Sequence, residues 1–201
     1  MKWLLKDIRK ETDHRFLNFF TFTYSVEKDG EESLYPYFLA SRHEQESLIA
    51  RTANFRRPDG VLMAVIQEEP TPSILLIEQF RPPLNARVIE FPAGLLEDSD
   101  SNEIEAAKRE CVEEAGVVID DVRLLCPASP TSSGLSDEMV SIVEGRVAHL
   151  TQRHLERFED IQARFVPLTE IPAMLDDPNL LIAVNVRLTL LYLLERYRKE
   201  D

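Results

Sequence analysis

Between residues 20 and 26 apolar and polar side chains alternate. Phe20, Phe22, Tyr24 and Val26 stand against Thr21, Thr23 and Ser25, the period of two expected of a strand with one buried face. Lys28-Asp29-Gly30-Glu31 follows as a turn, since Asp-Gly accepts positive backbone angles at little cost. A second run, residues 34–41, contains Pro36. Proline cannot donate a ladder hydrogen bond, which places this strand at a sheet edge. A hairpin alone is marginal in water, so this one must pack on the rest of the chain or on a second copy. Residues 1–57 therefore read as a β-rich segment suited to dimerisation or to covering a substrate, and 58–201 as the main domain.

From Pro58 onward the pattern mixes periods. Residues 60–66 and 74–77 read as buried strands around the turn Pro70-Thr71-Pro72, and 88–91 as a short strand stopped by Pro92. A helix is expected over 102–115, with Asp100 as its cap, Glu103 completing a capping box and Gly116 closing it. Strands follow at 122–125, 139–147 and 161–166. A last helix is expected to start from Asp177 as cap and Pro178 in its first position, and to end among Arg196, Tyr197 and Arg198. Such a mixture builds a layered α/β or α+β domain.

Charge narrows the partners. The 201 residues carry a net charge of −13, which disfavours duplex nucleic acid and a negatively charged membrane surface. The longest apolar stretch, 180–194, is interrupted by Asn185, Arg187 and Thr189 and is shorter than the roughly 20 residues a spanning helix needs. The first residues lack the apolar run of a signal peptide. Cys111 and Cys126 are the only cysteines, so no disulfide framework or paired-cysteine zinc site is expected. The expected setting is the cytoplasm.

Between Gly94 and Gly116 lie eight acidic and two basic residues. On a helix Glu110, Glu113 and Glu114 share a face at spacings of three and four, where like charges repel. Ile104, Ala107, Cys111 and Ala115 form a separate apolar stripe that can anchor the helix. One reading is a solvated acidic face, relieved by Arg109 pairing with Glu105 and Glu113. The other is a cradle for Mg²⁺, which prefers carboxylate oxygen and completes its shell with water and substrate phosphate.

The order of residues favours the second reading. Pro92-Ala93-Gly94 is followed by Arg109-Glu110-Cys111-Val112-Glu113-Glu114-Ala115-Gly116-Val117. This resembles the Nudix box, and its second half matches at every specified position. The first half departs from the pattern. Arg109 stands fifteen residues after Gly94, one more than the motif has, and the motif's first Glu falls on Ser101. Asp100 is the neighbouring carboxylate that can take over its pairing with the Arg.

The flanks sharpen the likeness. Glu78-Gln79-Phe80-Arg81-Pro82-Pro83, Ile89-Glu90-Phe91-Pro92-Ala93-Gly94, Ser132-Ser133-Gly134-Leu135-Ser136-Asp137-Glu138 and Tyr37-Phe38-Leu39-Ala40-Ser41-Arg42 resemble the ADP-ribose pyrophosphatase-like branch of the Nudix hydrolases, over roughly residues 34–168. The resemblance implies a Nudix α/β/α sandwich with a mixed sheet, preceded by an N-terminal antiparallel β appendage, in a homodimer. It implies Mg²⁺, with Mn²⁺ as the alternative ion, on Glu110, Glu114, Glu113 and the Ala93 carbonyl. It gives Arg81 a substrate phosphate and Arg42 and Arg51 contacts across a dimer. The general base would come from the acidic loop before residue 161, with Glu159 ahead of Glu156 and Asp160.

The activity so implied is hydrolysis of the pyrophosphate bond of a small nucleoside diphosphate derivative. ADP-ribose, giving AMP and ribose 5-phosphate, is the leading substrate. A nucleotide sugar or a dinucleotide is the alternative, as is a Nudix-like sensor that binds a nucleotide without cleaving it. Tyr37, Phe38 and Trp3 are aromatic candidates for stacking on a base, though such a residue is more often core or interface than a base platform. His14, His43, His149 and His154 lack ligand spacing, and Cys111 on the apolar stripe reads as core.

Overall fold

The computed structural model describes residues 1–200, with side chains through residue 198. The N-terminal alternation builds three antiparallel strands rather than two: β1 (Lys2–Lys10), β2 (Asn18–Lys28) and β3 (Glu31–Ser41), in that spatial order. Strand β1 escapes the pattern because its register shifts between Leu5 and Asp7, which breaks the period of two. Phe22 pairs with Ile8 on one side and Tyr37 on the other, and Phe20 pairs with Leu39. These side chains share one face and are buried together with Leu48. Asp29 and Gly30 take positive φ angles in the β2–β3 turn. Pro36 lies on the edge strand β3, where its missing donor is harmless. The opposite face leaves Leu4, Phe19, Leu34 and Phe38 exposed.

The chain divides into two compact units. The first is Met1–Asp59 with Ala128–Val140, and includes the single turn α1 (Ile49–Thr52). The Ala40 amide donates to the Leu135 carbonyl at 2.9 Å, and the Tyr37 hydroxyl to the Gly134 carbonyl at 2.9 Å. Asp59 accepts from the Met139 amide at 2.7 Å and faces the His43 imidazole at 3.0 Å. Sequence reading had no role for His43; its partner is sixteen residues away in sequence and only folding brings it near.

The second unit is Gly60–Pro127 with Ser141–Asp201. Strands β4 (Gly60–Gln67), β5 (Ser73–Arg81), β6 (Ala86–Glu90), β7 (Ala93–Leu95), β8 (Val117–Pro130), β9 (Met139–Leu150) and β10 (Ile161–Pro167) form a mixed sheet. Its order is β10-β5-β4-β9-β8, with β6 on β5 and β7 on β4. Helix α2 (Glu103–Ala115) buries Ala106, Ala107 and Cys111 against Val61, Met63, Val65, Leu75 and Val143. Because side chains alternate along a strand, Glu144 points away from α2. There it meets α4 (Val184–Glu200), whose Arg196 grips it with two bonds of 2.7 and 2.8 Å. Helices thus cover both faces, as the expected α/β/α sandwich requires.

Two helix starts differ from expectation. The cap of α2 is Asn102, whose side-chain oxygen accepts from the Ile104 and Glu105 amides at 2.9 and 3.1 Å; Asp100 is used elsewhere. The last helix begins at Val184 instead of Pro178. A short α3 (Ile171–Asp176) comes first, and Asp177 closes a local turn by accepting from the Asn179 amide at 2.8 Å. Residues 181–183 then run extended along β6. The Ile89 amide donates to Leu181 at 2.8 Å and the Ala183 amide to Ile89 at 3.1 Å. An open strand edge captures these backbone groups before a helix can use them. Among the described residues no helix is long and apolar enough to cross a membrane.

The hydrogen bond to Asp59 raises the pKa of His43. Burial pushes Asp59 up, but the bonds from His43 and the Met139 amide outweigh it and leave Asp59 lowered. The stabilisation from His43 is complete below its unfolded value of about 6.5 and is lost as pH rises through the higher folded value. Thermal melts should therefore lose about 1 kcal/mol or less of stability across that window. His43→Gln should flatten the slope, and an unchanged slope in the variant would refute the assignment.

Candidate active site

Asn102 and Gly116 bound α2 as a rigid rod, and the rod's position sets where its glutamates stand. Gly116 ends it with φ of +66°, and a side chain there would press the Thr151 carbonyl at 2.5 Å. Glu114 is only 4% exposed, and its Oε2 accepts from the Ala93 amide at 2.9 Å. Burial pushes the Glu114 carboxyl up to about 8; the Ala93 amide opposes this, while Glu110 and Glu159 add to it. Burial likewise raises Glu110, against the pull of Arg109 and with the push of Glu113 and Glu159.

Strand β7 meets this helix at Gly94. A Cβ there would lie 1.9 Å from the Glu110 carboxyl carbon, so the backbone passes where any other residue would displace the carboxylate. Arg109 binds the other side of the group. Its guanidinium donates to Asp100 at 2.8 Å, Glu110 at 2.8 Å, Glu113 at 3.1 Å and the Leu95 carbonyl at 3.1 Å. Asp100 also accepts from the Glu97 amide at 2.9 Å, so the loop with the extra residue is tied to the helix through this one carboxylate. The Arg109 bond holds the Asp100 carboxyl below its ordinary range. The expected second partner of Arg109, Glu105, pairs with Lys108 instead, at 3.1 Å.

Glu159 sits in a turn closed by its own carboxylate, which accepts from the Glu156 amide at 2.8 Å. It lies near enough to raise both Glu110 and Glu114. The neighbouring Asp160 is committed to Arg87 at 2.6 Å, which pins the loop to β6. Arg81 ends β5 and donates through Nε to Glu90 at 2.7 Å. Its two terminal nitrogens have no partner among the described residues. Arg81 also opposes the rise of Glu114, so its charge reaches the carboxylates.

The second unit thus gathers Ala93, Glu110, Glu113 and Glu114 around one turn, with Glu159 and Arg81 in electrostatic reach. Arg42 and Arg51 belong to the first unit; Arg42 faces Glu138 at 3.4 Å, and Arg51 lies in the last turn of α1. Trp3 packs edge-on against Tyr24 and Tyr35, and Phe38 stacks on Phe19. Cys111 is buried and its thiol is pushed up to about 12, which removes it as a nucleophile. In the sequence Glu90 belongs to a flanking segment without a role of its own, and Arg87 has none. Nothing in the pattern of β6 distinguishes them, and only the strand pairing shows their partners.

As they stand, no three His, Cys, Asp or Glu side chains among the described residues converge as a closed metal cage. Arg109 holds Glu110 and Glu113 toward itself. The donor chemistry nonetheless suits a hard divalent cation: the Glu110 and Glu114 carboxylates are both raised by burial, and Gly94 leaves room for the first of them against β7.

The NUDIX domain model matches residues 56–183. The chain belongs to the Nudix family. The Nudix box is the segment from Gly94 to Gly116, and Asp100 takes the structural place of its absent first glutamate.

Among curated relatives, Nudix hydrolase 14, chloroplastic, of Arabidopsis thaliana is 27% identical over 65% of this chain and 49% of its own length. The ADP-ribose pyrophosphatase of Bacillus subtilis is 30% identical over 58% of this chain and 59% of its own. The chain therefore spans about half the length of these Nudix relatives. A crystal structure described as an ADP compounds hydrolase superposes with a TM-score of 0.71 at 17% identity, covering 100% of this chain and 96% of that one. At that identity the match speaks for the fold.

The Glu114 shift carries a sign. Its folded value, about 8, lies above the unfolded value of about 4.3, so the metal-free protein should lose stability as pH rises between the two and level off beyond. Glu114→Gln should remove that loss, which is of the order of a few kcal/mol. Melts of the EDTA-treated proteins from pH 5 to 9 check this, and parallel curves for the two would contradict it.

Proposed function

We propose that this Nudix protein catalyses the Mg²⁺-dependent hydrolysis of the pyrophosphate bond of a nucleoside diphosphate derivative. ADP-ribose, cleaved to AMP and ribose 5-phosphate, is the leading substrate. The observation that carries this reading is the Glu114 carboxylate, buried behind the Ala93 amide and raised by burial and by Glu110. A carboxylate pair raised by desolvation is costly to a fold, and it is compatible with selection for metal-assisted chemistry. The relative named ADP-ribose pyrophosphatase supports the substrate class.

In this reading Glu110 and Glu114 hold the cation, with Glu113 and the Ala93 carbonyl assisting. The ion, when bound, supplies positive charge against the diphosphate's own and acidifies water for attack. Arg109 orients Glu110 and Glu113 on the helix face. Arg81, oriented by Glu90 through Nε, offers its two terminal nitrogens to a phosphate oxygen pair. Glu159, close to the glutamates and carried on the loop pinned by Asp160, accepts the proton of the attacking water. Catalysis is then positioning and charge stabilisation, as in other phosphoryl transfers. The exposed face of β1–β3, with Leu4, Phe19, Leu34 and Phe38, is assigned to a second copy of the chain, in a cytoplasmic homodimer.

Product analysis with ADP-ribose, ADP-glucose and a dinucleotide, in Mg²⁺ and in EDTA, tests the assignment. Metal-dependent AMP release should fall by about two orders of magnitude or more in Glu114→Gln and by about tenfold or more in Arg81→Ala. Cleavage of another diphosphate in place of ADP-ribose would keep the chemistry and change the substrate. Tight binding of a nucleotide without turnover of any would replace the hydrolase by a sensor.

A further inference from the structure

The loop between β9 and β10 carries Glu159 and is fastened at both ends. At its start the Thr151 amide donates to the Gly116 carbonyl and the His154 amide to the Glu113 carbonyl, both at 2.8 Å. These acceptors lie at the C-terminal end of α2, where a helix leaves its carbonyls without internal donors. At its other end the Asp160 carbonyl accepts from the Phe80 amide at 3.2 Å, one step beyond the ladder in which Ile161 faces Gln79. Arg153 closes the base of the loop by donating to the Ile161 carbonyl at 3.3 Å. Residues 155–159 run between these fastenings, with Phe158 88% exposed and the Glu159 carboxylate closing its own turn. The placement of Glu159 is therefore set by its neighbour Asp160.

Asp160 is held twice. Its backbone joins β5, and its carboxylate accepts from Arg87 Nη2 at 2.6 Å. Arg87 stands on β6 directly opposite Phe80, so its guanidinium reaches back across β5 to the residue that Phe80 bonds. The two side chains are 33% and 60% exposed. An ion pair so open to solvent adds little to folding stability. What it fixes is where the chain enters the sheet, one residue after Glu159.

We propose that the Arg87–Asp160 pair is a clamp that holds Glu159 beside the glutamates of α2, which makes Arg87 a positioning residue for the hydrolysis. The inference rests on the hydrolase reading, with Glu159 as the acceptor of the water's proton. The loop brings Glu156, Glu159 and Asp160 towards a helix face that already presents Glu110, Glu113 and Glu114. Like charges push such a loop outward, and Glu159 is close enough to raise both Glu110 and Glu114. A cation behind the loop opposes that push without touching substrate. Arg81 follows Phe80 on β5, so the phosphate contact and the proton acceptor are both referenced to the end of one strand. A misplacement of about 1 Å in such a group can cost about a hundredfold in rate.

The clamp can be read without turnover and with it. In EDTA, chymotrypsin should cut at Phe158 several-fold faster in Arg87→Ala and in Asp160→Asn than in the wild type, while the melting temperature stays within about 2 °C. With Mg²⁺ and a diphosphate that the protein hydrolyses, each variant should lose about tenfold or more in kcat, with KM within about twofold. Both changes break one contact, so Arg87→Ala/Asp160→Asn should be no slower than the slower single variant. The exchanged pair Arg87→Asp/Asp160→Arg should regain chymotrypsin resistance and part of kcat.

A rise in KM at constant kcat would make Arg87 a substrate contact and overturn the proposal. Losses that multiply in the double variant, or unchanged cutting at Phe158, would do the same. The two readings fail separately. If no diphosphate is hydrolysed but both variants open the loop, the hydrolase falls and the clamp stands. If hydrolysis depends on metal and Arg87→Ala keeps the wild-type kcat, the clamp falls and the hydrolase stands.

Discussion

The close approach of helix α2 to strand β7 is the constraint on which the rest of the catalytic unit depends. Gly94 has no side chain, so Glu110 can occupy the space where a Cβ would lie. One residue earlier, the Ala93 amide turns inward and donates to Glu114. Because β7 is hydrogen-bonded to β4 in the middle of the sheet, the carboxylates are referenced to the most buried strand of the molecule. Burying an acidic group this way is unfavourable in itself. The cluster of Ala106, Ala107 and Cys111 against the sheet supplies the apolar burial that holds the helix in place regardless.

Arg109 resolves the electrostatics of that approach. One guanidinium serves Asp100, Glu110, Glu113 and the Leu95 carbonyl, and so joins the helix, the preceding loop and the end of β7. The loop is one residue longer than the family pattern, and its carboxylate reaches the same arginine from Asp100 instead of from position 101. What Arg109 receives here is a carboxylate from the loop. A flexible loop can deliver it from either position, because its backbone absorbs the offset while Asp100 also caps the turn at Glu97.

On the far face the same economy is repeated with opposite charges. Glu144 is nearly inaccessible and gathers Arg196, Arg146 and Arg123, tying α4 to β9 and β8. Burial alone would raise this carboxyl, but the bonds from Arg196 and Arg146 leave it lowered. Glu144 and Glu114 are therefore two buried glutamates with opposite fates. The one bonded by guanidinium groups is lowered and fastens helix to strand; the one held by the Ala93 amide is raised by burial and by Glu110. That difference separates a fastening from a site.

Much of this was legible in the chain. Period-two alternation marked β2, the Asp-Gly turn and Pro36 marked its hairpin, and Gly116 marked the end of α2, because these depend on backbone preferences of neighbouring residues. The spacing of Glu110, Glu113 and Glu114 put them on one helix face by helical geometry alone. Local rules failed where a partner distant in sequence competed for the backbone. Residues 177–178 make a good helix start, yet the chain turns there and residues 181–183 are drawn onto the open edge of β6. Strand β1 hides behind a register shift that only β2 defines. The pairings of His43 with Asp59, Arg81 with Glu90 and Arg87 with Asp160 have no signature in spacing. The sequence determined which side chains could do chemistry, since composition and helical period are properties of the chain itself. The tertiary structure decided which of them are desolvated and which are neutralised, because burial and charge balance exist only once separate strands and helices share a core.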